Sequence, residues 1–314
     1  MNPSTHILAA EVSLPEWLST VSTGLANGAL YALLAVALVT VYRTTGHLNF
    51  AQGEFAMISA FLVFTFVGMG MPIWVAILVT MVVTAAASAA LQFGVMRPLE
   101  SRGHSASLIA VLGMFLFANS FAGVVWGVDN KTPLAPFPDG TEDRLTIIGG
   151  DRPFTLSFVT LGVWGALIAL LIVLWILLSK TKLGVAYRAV ISNRSSAALV
   201  GIPVAGVFAF GWALAAVPGT LAGALTSQAT STLNFSMMIN VLIFAFTAAC
   251  VGGFDSLVGA VVGGLLVGVV ESVVPRLFPA IGTGSGLMIA LVLLLVVLVI
   301  RPQGMFGQKE VTRV

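Results

Sequence analysis

The chain has 314 residues, 58% of them hydrophobic and only 8% charged, with a formal net charge of +2 and a mean hydropathy of +1.06. A soluble domain carries about a quarter charged residues, so too little polar surface exists here to coat the apolar side chains, and the chain reads as a membrane protein. The small net charge gives no footing for nucleic acid, and a single cysteine, Cys250, excludes an intrachain disulfide or a Cys-based metal cluster.

The N-terminal segment has no basic region. Glu11 and Glu16 precede the first apolar run and the first arginine is Arg43, which predicts that this run is kept as a helix and not cleaved. Trp17, placed before that helix, reads as an interfacial anchor or an exposed loop residue. Apolar runs then follow at Val21–Tyr42, Phe55–Gly70, Ile73–Val95, Ser107–Val128, Leu156–Leu178, Val204–Thr226, Met238–Phe254, Leu257–Val274 and Ser285–Ile300. A span needs roughly 17–25 residues, so the second and ninth are short. The expected fold is an all-α polytopic membrane protein of about eight to ten transmembrane helices, with nine as the working number, in a single domain covering 1–314.

The connecting segments fix an orientation. Arg43, Arg97, Arg102, Lys180, Lys182, Arg188, Arg194, Arg301, Lys309 and Arg313 fall on one side of a nine-helix arrangement. The 129–155 loop, with Asp129, Asp139, Glu142, Asp143 and Asp151, falls on the other. The positive-inside bias then puts the N-terminus outside and the C-terminus in the cytoplasm. Glu271, in the eighth apolar run, is expected to face a cavity, to pair with Arg276 or to snorkel into the headgroups.

The apolar runs contain a repeat. His47-Leu48-Asn49-Phe50 precedes the short second run and Thr232-Leu233-Asn234-Phe235 the short seventh. Each follows a Gly- and Ala-rich helix, and each leads to a glycine turn, Gly68-Met69-Gly70 or Gly252-Gly253-Phe254. An odd number of helices separates the two copies, so the second is inverted, with halves of about 21–128 and 204–300. Short or glycine-interrupted segments at matching positions point to a transport pathway. Asn49, Gln52, Glu54 and Asn234 are the candidate lining residues, because polar groups at membrane depth must face protein or water. Asn49 and Asn234 either line a passage or cap the short helices that follow them.

Catalytic and metal motifs are missing. No G-x-x-x-x-G-K-[ST] phosphate loop occurs, and His6, His47 and His104 are not spaced as metal ligands. Gly282-Thr283-Gly284-Ser285-Gly286 lacks the G-x-S-x-G order. Neither enzymatic activity nor a cofactor is expected for this chain. Few ionisable residues lie in the apolar runs, whereas ion-coupled carriers use them, so the energy for transport is expected from another chain. The stretch 180–203 is basic. Gly184 and Gly201 bracket it, and Leu183, Tyr187 and Ile191 recur at helical spacing. By itself it is an interfacial amphipathic helix or a docking knob for a cytoplasmic partner.

Several of these stretches, in order along residues 24 to 307, resemble the permeases of branched-chain amino acid ABC importers, the shorter of the two permease types. They are the run from Gly24 to Leu33, Tyr42-Arg43-Thr44-Thr45-Gly46, Asn49 to Glu54, Arg97-Pro98-Leu99, the 182–202 loop, Gly252-Gly253 through Gly264, and Arg301 to Gly307. The resemblance implies a bacterial inner-membrane subunit that pairs with a second homologous permease. It also implies ATP-binding ATPase subunits in the cytoplasm and a periplasmic binding protein that delivers the amino acid. Gly184, Arg188, Arg194, Ala197 and Gly201 are then the expected ATPase-coupling residues. The family's Glu-Ala-Ala falls here on Ser195, Ser196 and Ala197, so an acidic contact to the ATPase is not expected. Relatives with such motifs also move urea, amides or other small solutes. An ion-coupled secondary transporter is the alternative from another class.

Overall fold

The computed structural model describes residues 13–100, 102–140, 142–149, 153–282 and 284–307. Expectations that fall on His6, Glu11, Asp151, Thr283, Lys309, Arg313 and the His104 side chain lie outside the described residues. In chain order the elements are α1 (Leu14–Thr45), α2 (Gln52–Gly68), α3 (Ile73–Leu91), which continues through a π turn into α4 (Arg97–Glu100), and α5 (His104–Trp126). A hairpin of β1 (Arg144–Ile148) and β2 (Phe154–Ser157) precedes α6 (Phe158–Lys180). Then come α7 (Lys182–Ser192), α8 (Arg194–Leu199), α9 (Val204–Ala229), α10 (Met237–Gly252), α11 (Leu257–Leu277) and α12 (Gly286–Ile300). Each apolar run of the sequence is a helix among the described residues, and the molecule is a multi-pass membrane protein. Six helices are long and apolar enough to cross a bilayer, while α2, α10 and α12 are shorter.

Three departures from expectation are the largest. The first helix starts at Leu14, so Trp17 lies within it rather than before it. The Ser13 N–H donates to the Glu16 carboxylate at 3.1 Å, and Pro15, already lacking a donor, suits the first turn. The third helical rod runs past Val95 to Glu100, because the π turn at 92–96 absorbs an extra residue without breaking the rod. The 129–155 loop, which the sequence marks only as an acidic connection, carries an antiparallel hairpin whose second strand runs on to Ser157, so the fifth apolar run is helical only from Phe158. The loop is tied to the bundle by a bridge between Lys131 and Leu233.

Helix α1 is the axis. Ala32, Leu33, Leu34, Ala35, Val36 and Ala37 are fully buried, whereas Phe117 and Val124 of α5 are 70% and 85% exposed. Lipid tails are as apolar as leucine, so helices in a bilayer associate through close backbone approach between small residues. A Cβ on Gly28 would lie 2.8 Å from the Gly264 carbonyl, and one on Gly264 would lie 2.6 Å from the Ala32 Cα. That places α1 directly against α11. Helix α1 also packs on α9 and α10, and α9 packs in turn on α2 and α3. The stacked rings of Tyr31 and Phe244, 4.6 Å apart, join α1 to α10.

Most of the described basic residues of the loops collect at one end of this bundle, while Lys131 and Arg144 lie at the other. Arg43, Ser179 and Asp255 line a single cleft, Arg194 reaches the last turn of α1, and Met96 packs with Val41 and Trp212. The tail returns to the same end, where the Met305 and Phe306 N–H groups donate to the Val251 and Gly252 carbonyls. The β-hairpin and the 131–137 segment cover the opposite end. There Leu134 N–H donates to the Ser227 hydroxyl, and Gln228 exchanges hydrogen bonds with the backbone of Phe137.

Candidate functional site: two helix starts inside the bundle

The two Leu-Asn-Phe turns have the same local geometry. Asn49 Oδ1 accepts from the N–H of Ala51, and Asn234 Oδ1 from the N–H of Ser236, at 3.2 and 3.0 Å. In each, the N–H three residues on returns to the asparagine carbonyl, Gln52 to Asn49 and Met237 to Asn234. A short polar side chain that bonds its own backbone two residues ahead is the usual reason for asparagine at such a turn. Both asparagines therefore shape the turn that opens a short helix.

Their surroundings differ. Asn49 is 1% exposed, and its Nδ2 donates to Gln52 Oε1. Gln52 Nε2 donates in turn to the Ala215 carbonyl of α9 at 3.2 Å. Pro218 leaves α9 without the N–H that would serve the carbonyl four residues back, so Gln52 meets α9 where its ladder is interrupted. Asn234 is only half-buried, and beyond its own turn it bonds the Ser236 hydroxyl.

Gln52 and Glu54 belong to the first turn of α2, which starts three residues earlier than the apolar run. That start lies inside the bundle. A Cβ on Gly53 would lie 3.1 Å from the Leu242 side chain in mid-α10, and Phe50 stacks on Phe246. Glu54 is 1% exposed and accepts from Asn119 Nδ2 at 3.0 Å. The same Nδ2 donates to the Phe235 carbonyl, just before α10, at 3.1 Å. One amide of α5 thus links the beginnings of α2 and α10. Both beginnings present the positive end of a helix dipole.

Sequence reasoning missed Asn119. A lone asparagine in an apolar helix was the available signal, since a polar side chain at that depth needs a protein partner. It also missed a buried polar stripe along α3 and into the π turn, where Thr80, Thr84, Ser88 and Gln92 recur every four residues. Thr84 and Thr220 share a hydrogen bond at 3.0 Å. With Ser59 and Ser88, Thr84 lines a cavity of about 140 Å³ between α2, α3 and α9. Glu271 does not pair with Arg276. It accepts from the Tyr31 hydroxyl at 2.6 Å, while Arg276 turns to Glu16 and Thr20. Arg276 lies beyond Pro275 in the last turn of α11, where α1 offers it the nearer carboxylate.

The 180–203 stretch is a pair of short helices, α7 and α8, at the basic end. Thr181 and Asn193 cap them by accepting from the N–H groups of Gly184 and Ser196. The buried stripe is Gly184, Tyr187 and Val190; Leu183 is 56% exposed and does not belong to it. The helix is phased by Gly184, whose missing side chain lets α7 lie against the Leu177 and Leu178 carbonyls of α6. Burial pushes the Tyr187 hydroxyl up to about 12, and it donates to the Thr40 carbonyl of α1 at 3.3 Å.

The five expected coupling residues divide by this packing. Gly184 and Ala197 are buried in their own chain. Arg188 donates to the Leu178 carbonyl, and Arg194 donates to Thr44 O at 2.9 Å while lying over the Phe208 ring. Gly201 has φ +83° and ends α8, with its N–H bonded to Ala198 O and that of Ile202 to Ala197 O. The most exposed apolar side chains on the pair are Leu199 and Val200, 89% and 76% exposed, which the sequence did not single out.

Comparison with known proteins adds three matches. The family model described as branched-chain amino acid transport system / permease component covers residues 20–300. The chain is 27% identical over 255 residues to the high-affinity branched-chain amino acid transport system permease protein LivH of Salmonella typhimurium, covering 78% of this chain and 81% of that protein. It is 28% identical over 261 residues to the corresponding permease protein BraD of Pseudomonas aeruginosa, with the same shares covered.

Proposed function

Because the chain belongs to the family of branched-chain amino acid transport permease components, we propose that it is the membrane-spanning permease subunit of an ATP-driven importer for branched-chain amino acids. It pairs with a second homologous permease. ATP is bound by cytoplasmic ATPase subunits that dock on α7 and α8 at the basic end, and this chain holds no cofactor. A periplasmic binding protein delivers substrate at the end carrying the β-hairpin. The loop charges support this orientation, with the N-terminus periplasmic and the C-terminus cytoplasmic in a bacterial inner membrane.

The segments 21–128 and 204–300 act as inverted halves. The matched turns at Asn49 and Asn234 support this, as does the way α1 packs on α10 and α11 while α9 packs on α2 and α3. Substrate passes beside the two helix starts. Their positive ends favour a carboxylate and Glu54 favours an ammonium group, a combination that suits a zwitterionic amino acid. The mainly apolar cavity beside Thr84, into which Ser59 and Ser88 also face, is lined by no charged residue, which fits passage without tight retention.

The observation that carries the reading is the exposed Leu199–Val200 edge on a helix pair anchored to α1 and α6. Neither side chain has a spanning role, and a protein partner would cover them. Leu199→Asp should reach the membrane at normal levels, and both uptake and the ATPase that co-purifies should fall at least tenfold, about 1.4 kcal/mol of lost docking. Normal co-purification, or concentrative uptake by this chain alone on an ion gradient, would favour a secondary transporter. In a Cys250-free background, cysteines at Glu142 and Ser195 should label from opposite faces of the membrane; labelling from one face removes the proposed orientation.

A further inference from the structure

The cleft at the basic end is not used by the transport reading. Helix α6 is braced by α1, α7 and α9, and α11 by α1, α10 and α12. Between α6 and α11 lies a space of about 500 Å³ floored by Val36 of α1. Its walls are apolar, with Leu174 and Leu178 on one side and Val258 and Val261 on the other. Val258, on its wall, is 66% exposed. Water finds no polar partners on such walls, whereas an acyl chain of the surrounding bilayer does fit them.

Two charges of opposite sign stand at its rim, Arg43 on α1 and Asp255 just before α11. Among the described residues neither side chain has a hydrogen bond or an ion pair, and Arg43 has only the Tyr187 hydroxyl within electrostatic reach. A headgroup with a phosphate alone would satisfy Arg43 and meet repulsion from Asp255. A headgroup with a phosphate and a primary ammonium satisfies both through charge-assisted hydrogen bonds.

We propose that this cleft binds one zwitterionic aminophospholipid, its phosphate on Arg43, its ammonium on Asp255 and an acyl chain between α6 and α11. The bound chain would brace the last turn of α6, where the Leu178 carbonyl accepts from Arg188 and underlies Gly184 of α7. The lipid thereby stiffens the seat of the α7–α8 pair.

The full chain, purified in detergent and offered equal amounts of phosphatidylethanolamine and phosphatidylglycerol, is read by native mass spectrometry. Retention should favour phosphatidylethanolamine about tenfold, the worth of one charge-assisted contact. Asp255→Asn should remove that preference without removing lipid, and Arg43→Gln should lower retention of both lipids. Equal retention by the unaltered chain, or a preference that survives Asp255→Asn, overturns the proposal. A photo-crosslinking side chain at Val258 in native membranes should capture phospholipid. Capture of a second permease chain instead shows that protein covers the cleft and overturns it as well.

Discussion

The two Leu-Asn-Phe turns are the same structure in different surroundings. Each asparagine accepts from the N–H two residues on and opens a short helix. The first is sealed between α2 and α9, and its side chain starts a chain of bonds that ends on the Ala215 carbonyl. The second stands half-exposed near the hairpin end, held from outside by the bridge from Lys131 to Leu233. A local motif sets the turn, while its neighbours set how much depends on it. A bond inside the bundle has no water to replace it, and a bond at the rim does.

Substituting the asparagines should break the comparison most sharply if it is wrong. Asn49→Leu strands Gln52 Oε1 and an N–H in a buried site, at about 1–3 kcal/mol for each group left unpaired. Its thermal unfolding midpoint in detergent should drop by several degrees and uptake should be lost. Asn234→Leu removes a turn hydrogen bond to the Ser236 N–H that water can replace, about 1 kcal/mol, and the protein should keep folding and most of its transport. Equal losses in the two variants would mean that the turns are equivalent and burial irrelevant.

The bridge between the turns comes next. Asn119→Leu frees Glu54 and the Phe235 carbonyl together, so it should lower stability by about 1–3 kcal/mol. If the two helix starts move as a linked pair, it should also reduce uptake at equal protein level. An unaltered uptake rate would leave Asn119 as packing alone. The smallest effect is expected at Ser236→Ala, which removes one exposed hydroxyl contact to Asn234. A change in midpoint beyond about 0.5 kcal/mol would show that the second turn is more tightly held than its exposure suggests.

Much of the fold was legible because the bilayer imposes it. A chain that must satisfy every backbone group within its own segment can only form helices there, so apolar length marked the spans from Val21 to Ile300. The turn at Asn49 was equally readable, since it depends on residues within a few positions of itself. The stripe through Leu183 failed for a tertiary reason. Period-four spacing allowed several phases of α7, and the contact of Gly184 with the end of α6 selected one. The role of Arg194 was hidden for the same reason, because its partner, the Thr44 carbonyl, lies in a distant helix.

The sequence by itself thus determined the membrane class, the helix positions, the two Asn turns and the clustering of positive charge in particular loops. Each follows from composition or from hydrogen bonds reaching a few residues along the chain. Only the tertiary structure decided that α1 is the buried axis, that Asn119 joins the starts of α2 and α10, that Glu271 meets Tyr31 and not Arg276, and that Arg43 and Asp255 share one cleft. Those pairings come from helices brought within reach by close backbone contact between small residues, as at Gly28 and Gly264. In a uniformly apolar chain the pattern of polar and apolar residues does not say which helix will be the neighbour.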